Sequence, residues 1–291
     1  MGITLEVDFK NAEAVSDVFL QAAAANLQTA GRAGSLVDLP SRGRLLITGD
    51  IHDHRDHFDK ALKLASLDTS ANHHLLLQEL IHGDRLINNM DLSYRLLARA
   101  ALLKAQRPDQ VHIILSNHEL AQVRNEGILK DSISVVEAFN DGLDYVFGDD
   151  APQVQDAIRA FVESMPLAVR RGENLLLSHS LPAPRKLAEF DPSVLHRIPT
   201  PDDMSPTGSA HLLVWGRNLT QKLADELGEH WEVDLFILGH QHAEMGYEEC
   251  GRSMLIVNSD HSHGIALPID LHRHYSRDEL IESILPLAAV L

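Results

Sequence analysis

Short apolar runs bounded by turn residues alternate with longer amphipathic stretches over most of this chain, which predicts a layered α/β fold. Arg44–Thr48 (RLLIT), His74–Gln78 (HLLLQ) and Val111–Leu115 (VHIIL) read as strands covered on both faces. Between them, 58–66 and 92–106 carry helical spacing. Strand, helix and strand in succession predict parallel pairing with right-handed crossovers.

Outside this region the pattern is less regular. An Ala-rich helix is expected over 11–28 and is ended by GRAGS and Pro40, so 1–40 reads as a helical extension and 41–291 as the main domain. The stretch 135–164 reads as helical with interruptions near Gly148 and Pro152, and 219–227 as a further helix. Leu175–Ser178 and 212–215 are expected strands. Runs at 235–238, 246–249, 254–258 and 265–270 follow so closely that antiparallel strands are expected. Residues 181–210 hold six of the twelve prolines and read as an irregular excursion, either a surface insertion or a lid.

Composition narrows the function classes. Lys and Arg total 25 against 42 Asp and Glu, a formal charge of −17, which is wrong for a chain that grips nucleic acid by its phosphates. The apolar run ILPLAAVL is eight residues, far below the roughly 20 that a bilayer needs, so no membrane partner is expected. MGITLEVDFK carries acids where a secretory signal has a basic head. The single Cys250 excludes an internal disulfide framework and a multi-Cys zinc site, which fits a cytoplasmic protein. Eighteen histidines stand out, and their positions decide what they mean.

Five polar clusters follow the expected strands: Gly49-Asp50-Ile51-His52, Gly83-Asp84-Arg85, Ser116-Asn117-His118-Glu119, Ser178-His179-Ser180 and Gly239-His240-Gln241-His242. In parallel α/β sheets the ligand crevice lies beyond the carboxyl ends of the strands, so the five would converge. Carboxylate, imidazole and amide oxygen are the donors that first-row metals take. Asp50 and His52 are two residues apart, as are His240 and His242, so a continuing strand would turn each pair to one side.

In this order, D-x-H, G-D, N-H-E, H and G-H-x-H, the clusters resemble the motif series of the calcineurin-like metallophosphoesterase superfamily, over about 44–270. The phrases FVESMP at 161–166, ENLLLSHS at 173–180 and GHQHAEMGYE at 239–248 are similar to its phosphoprotein phosphatase branch. The resemblance implies an α/β sandwich of two mixed sheets flanked by helices, with a centre of two divalent metals; Asp, His and Asn donors without Cys allow Mn, Fe or Zn, with Mn or Fe favoured. It also implies that Asp50, His52 and Asp84 hold the first metal, with His242 as a further candidate. Asp84 would bridge to a second metal completed by Asn117, His179 and His240. His118 would protonate or contact the phosphate, and Glu119 would orient a ligand.

Two departures matter. The branch reads G-D-x-V-D-R-G, so its later Asp, which partners the catalytic His, falls at Ile87, and its phosphate-binding Arg at Asn88. Arg217, Arg124 and Arg85 are the arginines that could replace that clamp, Arg217 foremost. His54, His57, Asp260, His261 and His263 are expected at the rim. The leading expectation is a phosphomonoesterase acting on phosphorylated protein or small molecules. A hydrolase of nucleotides or dinucleoside polyphosphates, and a non-catalytic metal-binding scaffold, are the alternatives.

Overall fold

The computed structural model describes residues 5–130 and 133–290; the first four residues of MGITLEVDFK and Leu291 of the last apolar run lie outside it. The chain begins with α1 (Ala12–Leu27), β1 (Arg32–Ala33), β2 (Leu36–Asp38), β3 (Arg44–Asp50), α2 (Arg55–Ala65) and β4 (His73–Gln78). It continues through α3 (Tyr94–Gln106), β5 (Val111–Ile113), α4 (Asn117–Arg124), the hairpin β6 (Leu129–Lys130) and β7 (Ile133–Ser134), α5 (Val135–Phe147) and α6 (Ala151–Ser164). Then come β8 (Ala168–Arg171), β9 (Leu175–Ser178), α7 (Ser209–Trp215), α8 (Gln221–Trp231) and β10 (Leu235–Leu238). The last elements are β11 (Tyr247–Cys250), β12 (Met254–Val257), β13 (Ile265–Asp270), α9 (Arg277–Glu282) and β14 (Leu285–Pro286).

Two mixed sheets form, flanked by helices, as the resemblance implied. One has the order β1-β2-β8-β9-β10-β12-β11 and the other β14-β13-β3-β4-β5. Side chains alternate along each strand. Leu45 and Ile47 of β3 therefore meet Val169, Leu177, Ile237 and Val257 between the sheets, while Leu46 faces the helix-covered side with Leu75 and Leu77. The runs β3-β4-β5 and β9-β10-β12 are each parallel, so their carboxyl ends gather at one pole. There the sheets touch, through a bridge between Asp50 and Asn258. Gly49 makes this approach possible, since a Cβ on it would lie 2.1 Å from the Val257 carbonyl oxygen.

The structure differs from the sequence-based expectations in two places. Residues 212–215 are not a strand but the end of α7, a helix buried through Ala210, Leu212, Leu213 and Val214; a short helix buried on nearly all sides is as continuously apolar as a strand. The late strands are not all antiparallel: β10 and β12 pair parallel, and β11 runs antiparallel to β12. The excursion 181–210 contains short 3₁₀ turns at Pro184–Glu189 and Pro192–His196 and buries Val194 and Leu195 in the main core. Ser35 donates to the Leu195 carbonyl at 3.0 Å, which ties the excursion to the turn between β1 and β2.

The N-terminal helix α1 joins the same core. Phe19 is fully buried and its ring lies 5.7 Å from that of Phe161, while Asn26 donates to Ser164 Oγ at 2.9 Å. No helix among the described residues is long and apolar enough to cross a membrane.

Candidate active site

The pole where the strands end collects Asp50 from the end of β3, Glu79 directly after β4, Asn117 and His118 opening α4, His179 after β9 and His240 after β10. Two groups of donor atoms close enough to hold a cation are His52, Glu79 and His118, and Asp50, Glu79 and His179. Glu79 belongs to both. Its Oε2 lies 3.5 Å from His52 Nε2, and its Oε1 lies 3.5 Å from His179 Nε2 and 4.0 Å from His118 Nε2.

The backbone is forced where these side chains leave the strands. His52, Asp53, Glu79, His82 and His240 all have positive φ, at 43°, 55°, 47°, 62° and 67°. Such a conformation costs a non-glycine residue on the order of 1–3 kcal/mol and persists where the surroundings impose it.

Hydrogen bonds orient the imidazoles. His52 Nδ1 donates to the Ile81 carbonyl at 2.8 Å, which turns Nε2 to Glu79. Gln78 donates its amide to the Thr48 carbonyl, so its oxygen faces His179 Nδ1 at 2.9 Å and takes that proton. His179 Nε2 then presents a lone pair 2.8 Å from Asn117 Oδ1, which is itself 2.9 Å from His240 Nδ1. Asp50 receives the His240 backbone N–H at 2.9 Å and the Asn258 amide at 3.3 Å. Glu119, expected to orient a ligand, is buried and accepts from the Leu80 N–H at 2.7 Å and from the Ser116 hydroxyl, tying the exit of β4 to the start of α4.

This donor set fits divalent cations. Carboxylate and imidazole atoms come within reach of one cation in two groups, and Glu79 Oε1 is buried with no hydrogen bond. Burial pushes the Asp50 carboxyl up to about 7, and burial with Asp50 and Glu119 nearby pushes Glu79 well above the usual carboxylate range. Burial likewise holds His179 well below its ordinary value and His240 down at about 3. Two mutually repelling carboxylates among neutral imidazoles are what a cation would stabilise.

Two expected metal ligands are not in this cluster. Asp84 is exposed on the loop beyond β4, because that strand ends at Gln78 and the next residue, Glu79, takes the inward position. The sequence carried a signal for Glu79, an acid directly after an expected strand, but the Gly-Asp dipeptide five residues on drew the assignment away. His242 is exposed and packs its ring 5.2 Å from that of His261, since the left-handed turn at His240 breaks the strand geometry that would have aligned the two.

The arginines divide. Arg217 is exposed just past α7, and its charge helps to hold His179 and His240 below their ordinary values. Arg124 sits in the last turn of α4, where Glu126 binds it at 2.6 Å. His57, expected at the rim, is buried and donates to the Ser259 carbonyl at 2.7 Å, bracing the loop after β12.

Gly239 leaves no room for a side chain. A Cβ there would lie 2.2 Å from Asp50 Oδ1 and 2.7 Å from Gln78 Oε1. Gly239→Ala is therefore expected to displace Asp50 and weaken Mn²⁺ binding by about 10–100-fold, the loss typical of disturbed ligand support. Titration calorimetry with Mn²⁺ measures it, and unchanged affinity would mean that Asp50 is not a ligand.

A family model described as calcineurin-like phosphoesterase matches residues 43–244. A search of curated proteins finds no match. Among solved structures, a protein serine/threonine phosphatase from Saccharomyces cerevisiae is similar with a TM-score of 0.61 at 17% identity, over 89% of this chain and 82% of that one. A cold-active protein-tyrosine phosphatase of a psychrophilic Shewanella is similar with a TM-score of 0.53 at 15% identity, over 81% and 78%.

Proposed function

The chain belongs to the calcineurin-like phosphoesterase family and is a metal-dependent phosphoesterase, and from that premise we propose that it hydrolyses phosphomonoesters, phosphoproteins foremost, at a centre organised by Glu79. The observation that carries this reading is that one buried carboxylate belongs to both donor groups. Asp50, Glu79 and His179, with Asn117 and His240 beside His179, would hold one divalent ion; Glu79 and His52 would hold the other, with His118 facing it. Two such ions, Mn or Fe before Zn, supply Lewis acidity toward phosphoryl oxygens and lower the pKa of a bound water.

The chain's own groups supply the rest. Gln78 and the Ile81 carbonyl keep the His179 and His52 rings in the tautomer that turns Nε2 inward. His118, with Nε2 facing Glu79, delivers a proton to the leaving oxygen. Arg217 offers a planar guanidinium to the phosphoryl oxygens.

The test is turnover with Mn²⁺ on p-nitrophenyl phosphate and on its bis ester, followed by phosphopeptides against dinucleoside polyphosphates. Faster monoester cleavage and a preference for phosphopeptides are expected. Preference for the bis ester would overturn the monoester reading, and preference for dinucleoside polyphosphates the substrate class. Metal binding with no turnover on any of them would favour a scaffold.

A further inference from the structure

Helices α4, α5 and α6 line a second cavity, of about 230 Å³. That is below the roughly 300–1,000 Å³ of pockets for drug-sized ligands, so it suits a smaller molecule. No lining residue belongs to the donor groups around Glu79. Gln155 and Arg159 stand four residues apart on α6, and Phe139 and Leu143 four apart on α5, so each pair shares one helix face. The cavity therefore has polar groups above an apolar floor.

A chain of side-chain amides runs along its wall. Gln122 Nε2 donates to Asn140 Oδ1 at 2.8 Å, and Asn140 Nδ2 donates to Asn125 Oδ1 at 3.4 Å. Donation runs one way, so the chain begins at an acceptor, Gln122 Oε1. Gln122 is only 8% exposed, and this oxygen is buried with no hydrogen bond. A buried amide oxygen without a donor is costly, and native proteins rarely leave one.

Charge is a second, independent observation. The chain carries 42 acids against 25 bases, yet no acid lines this cavity. Arg159 is exposed beside it and forms no ion pair with a described residue. One guanidinium offers two parallel N–H bonds and one charge, which matches a carboxylate better than a phosphate dianion. Gln122 lies in the last turn of α4, where the helix dipole presents partial negative charge, so a donor that reaches its oxygen gains from being cationic. The two ends thus call for opposite charges on one small molecule.

We propose that this cavity binds a free amino acid. The carboxylate pairs with Arg159, the ammonium donates to Gln122 Oε1, and the side chain rests on Phe139 and Leu143. The site stands apart from the phosphatase reading, and its test reads binding alone.

The experiment is titration calorimetry on the full chain after chelator treatment and dialysis, so that no carboxylate is drawn to a metal. The proteinogenic amino acids are added singly, with inorganic phosphate for comparison. Saturable binding of at least one amino acid is expected, tighter than that of phosphate. Its analogues without the ammonium or without the carboxylate (for leucine, 4-methylpentanoate and 3-methylbutylamine) should bind about tenfold more weakly or worse, as loss of a charged hydrogen bond does. Arg159→Gln and Gln122→Leu should each weaken the amino acid by a similar factor, and Arg159→Lys, which keeps the charge, should keep part of the affinity. In ¹H–¹⁵N spectra the side-chain amides of Gln122 and Asn140 should shift on addition of the amino acid. Arg159 is exposed, so Arg159→Gln tests the site without disturbing the core. No saturable binding by any amino acid, tighter binding of phosphate, or binding that Arg159→Gln leaves unchanged would overturn the proposal.

Discussion

Glu79→Ala is expected to remove phosphatase turnover and high-affinity Mn²⁺ binding, while Asp84→Ala leaves both within about twofold, as exposed substitutions generally do. The contrast follows from where β4 ends. Glu79 is buried and its two oxygens face His52, His118 and His179, whereas Asp84 is exposed. Disturbing a group that merely supports a metal ligand costs about 10–100-fold, so removing a carboxylate shared by two donor groups should cost more than about 100-fold in kcat. Glu79→Ala should also raise the melting temperature of the metal-free protein. It deletes a buried carboxyl that Asp50 and Glu119 repel, and active-site strain of this kind is commonly relieved by substitution. Higher stability with lost activity separates ligand loss from misfolding. The opposite outcome, with Asp84→Ala inactive and Glu79→Ala active, would restore the Gly83-Asp84 dipeptide as the metal-binding motif.

The same comparison shows what the sequence makes legible. Asp50, Asn117, His179 and His240 could be found because each follows a short apolar strand, and parallel strands carry such residues to a common edge. Glu79 satisfies that rule and Asp84 does not. The strand boundary thus points to the residue that joins the buried cluster, and the Gly-Asp dipeptide to one that is exposed. The approach of His82 to Asp91 is harder to read, because the loop between them leaves at Gly83 and comes back at Asp91. Nothing local in the sequence announces that return. The order of strands across the sheets is hidden for the same reason: β3 lies between β4 and β13, its neighbours from opposite ends of the domain. The helix α7 is misread because LLVW is apolar in every direction, and periodicity cannot distinguish a buried helical turn from a strand.

The gain in stability on adding Mn²⁺ is expected to be small near pH 6 and large at pH 8. In the metal-free protein burial raises Asp50 to about 7 and Glu79 well above the usual carboxylate range. An acid whose folded pKa exceeds its unfolded pKa supports the fold fully below the unfolded value, and that support is lost as pH rises through the folded value. For these two the loss runs from about pH 4 up through about 7 for Asp50 and beyond for Glu79. His179 and His240, held low by burial, act in the opposite sense, but only below about 6.5, where an unfolded histidine takes up its proton. Lys104, pushed down to about 7 by burial, gains support as pH rises above that value. It lies on α3 with its amine bonded to Thr29, Pro108 and Val111, so its contribution is the same with and without metal and cancels in the difference. What remains between pH 6.5 and 8 is the ionisation of Asp50 and Glu79, together with that of neighbouring Glu119, which burial also raises to about 7, and a bound cation favours all three. Metal binding releases those protons, so at constant free Mn²⁺ its stabilisation should grow by about 1.4 kcal/mol per pH unit for each proton displaced. Thermal unfolding with and without Mn²⁺ at pH 6, 7 and 8 measures this, and Glu79→Gln should flatten the slope. A Mn²⁺ gain independent of pH over this window would mean that the ion binds without displacing protons from Asp50 and Glu79, and so binds elsewhere.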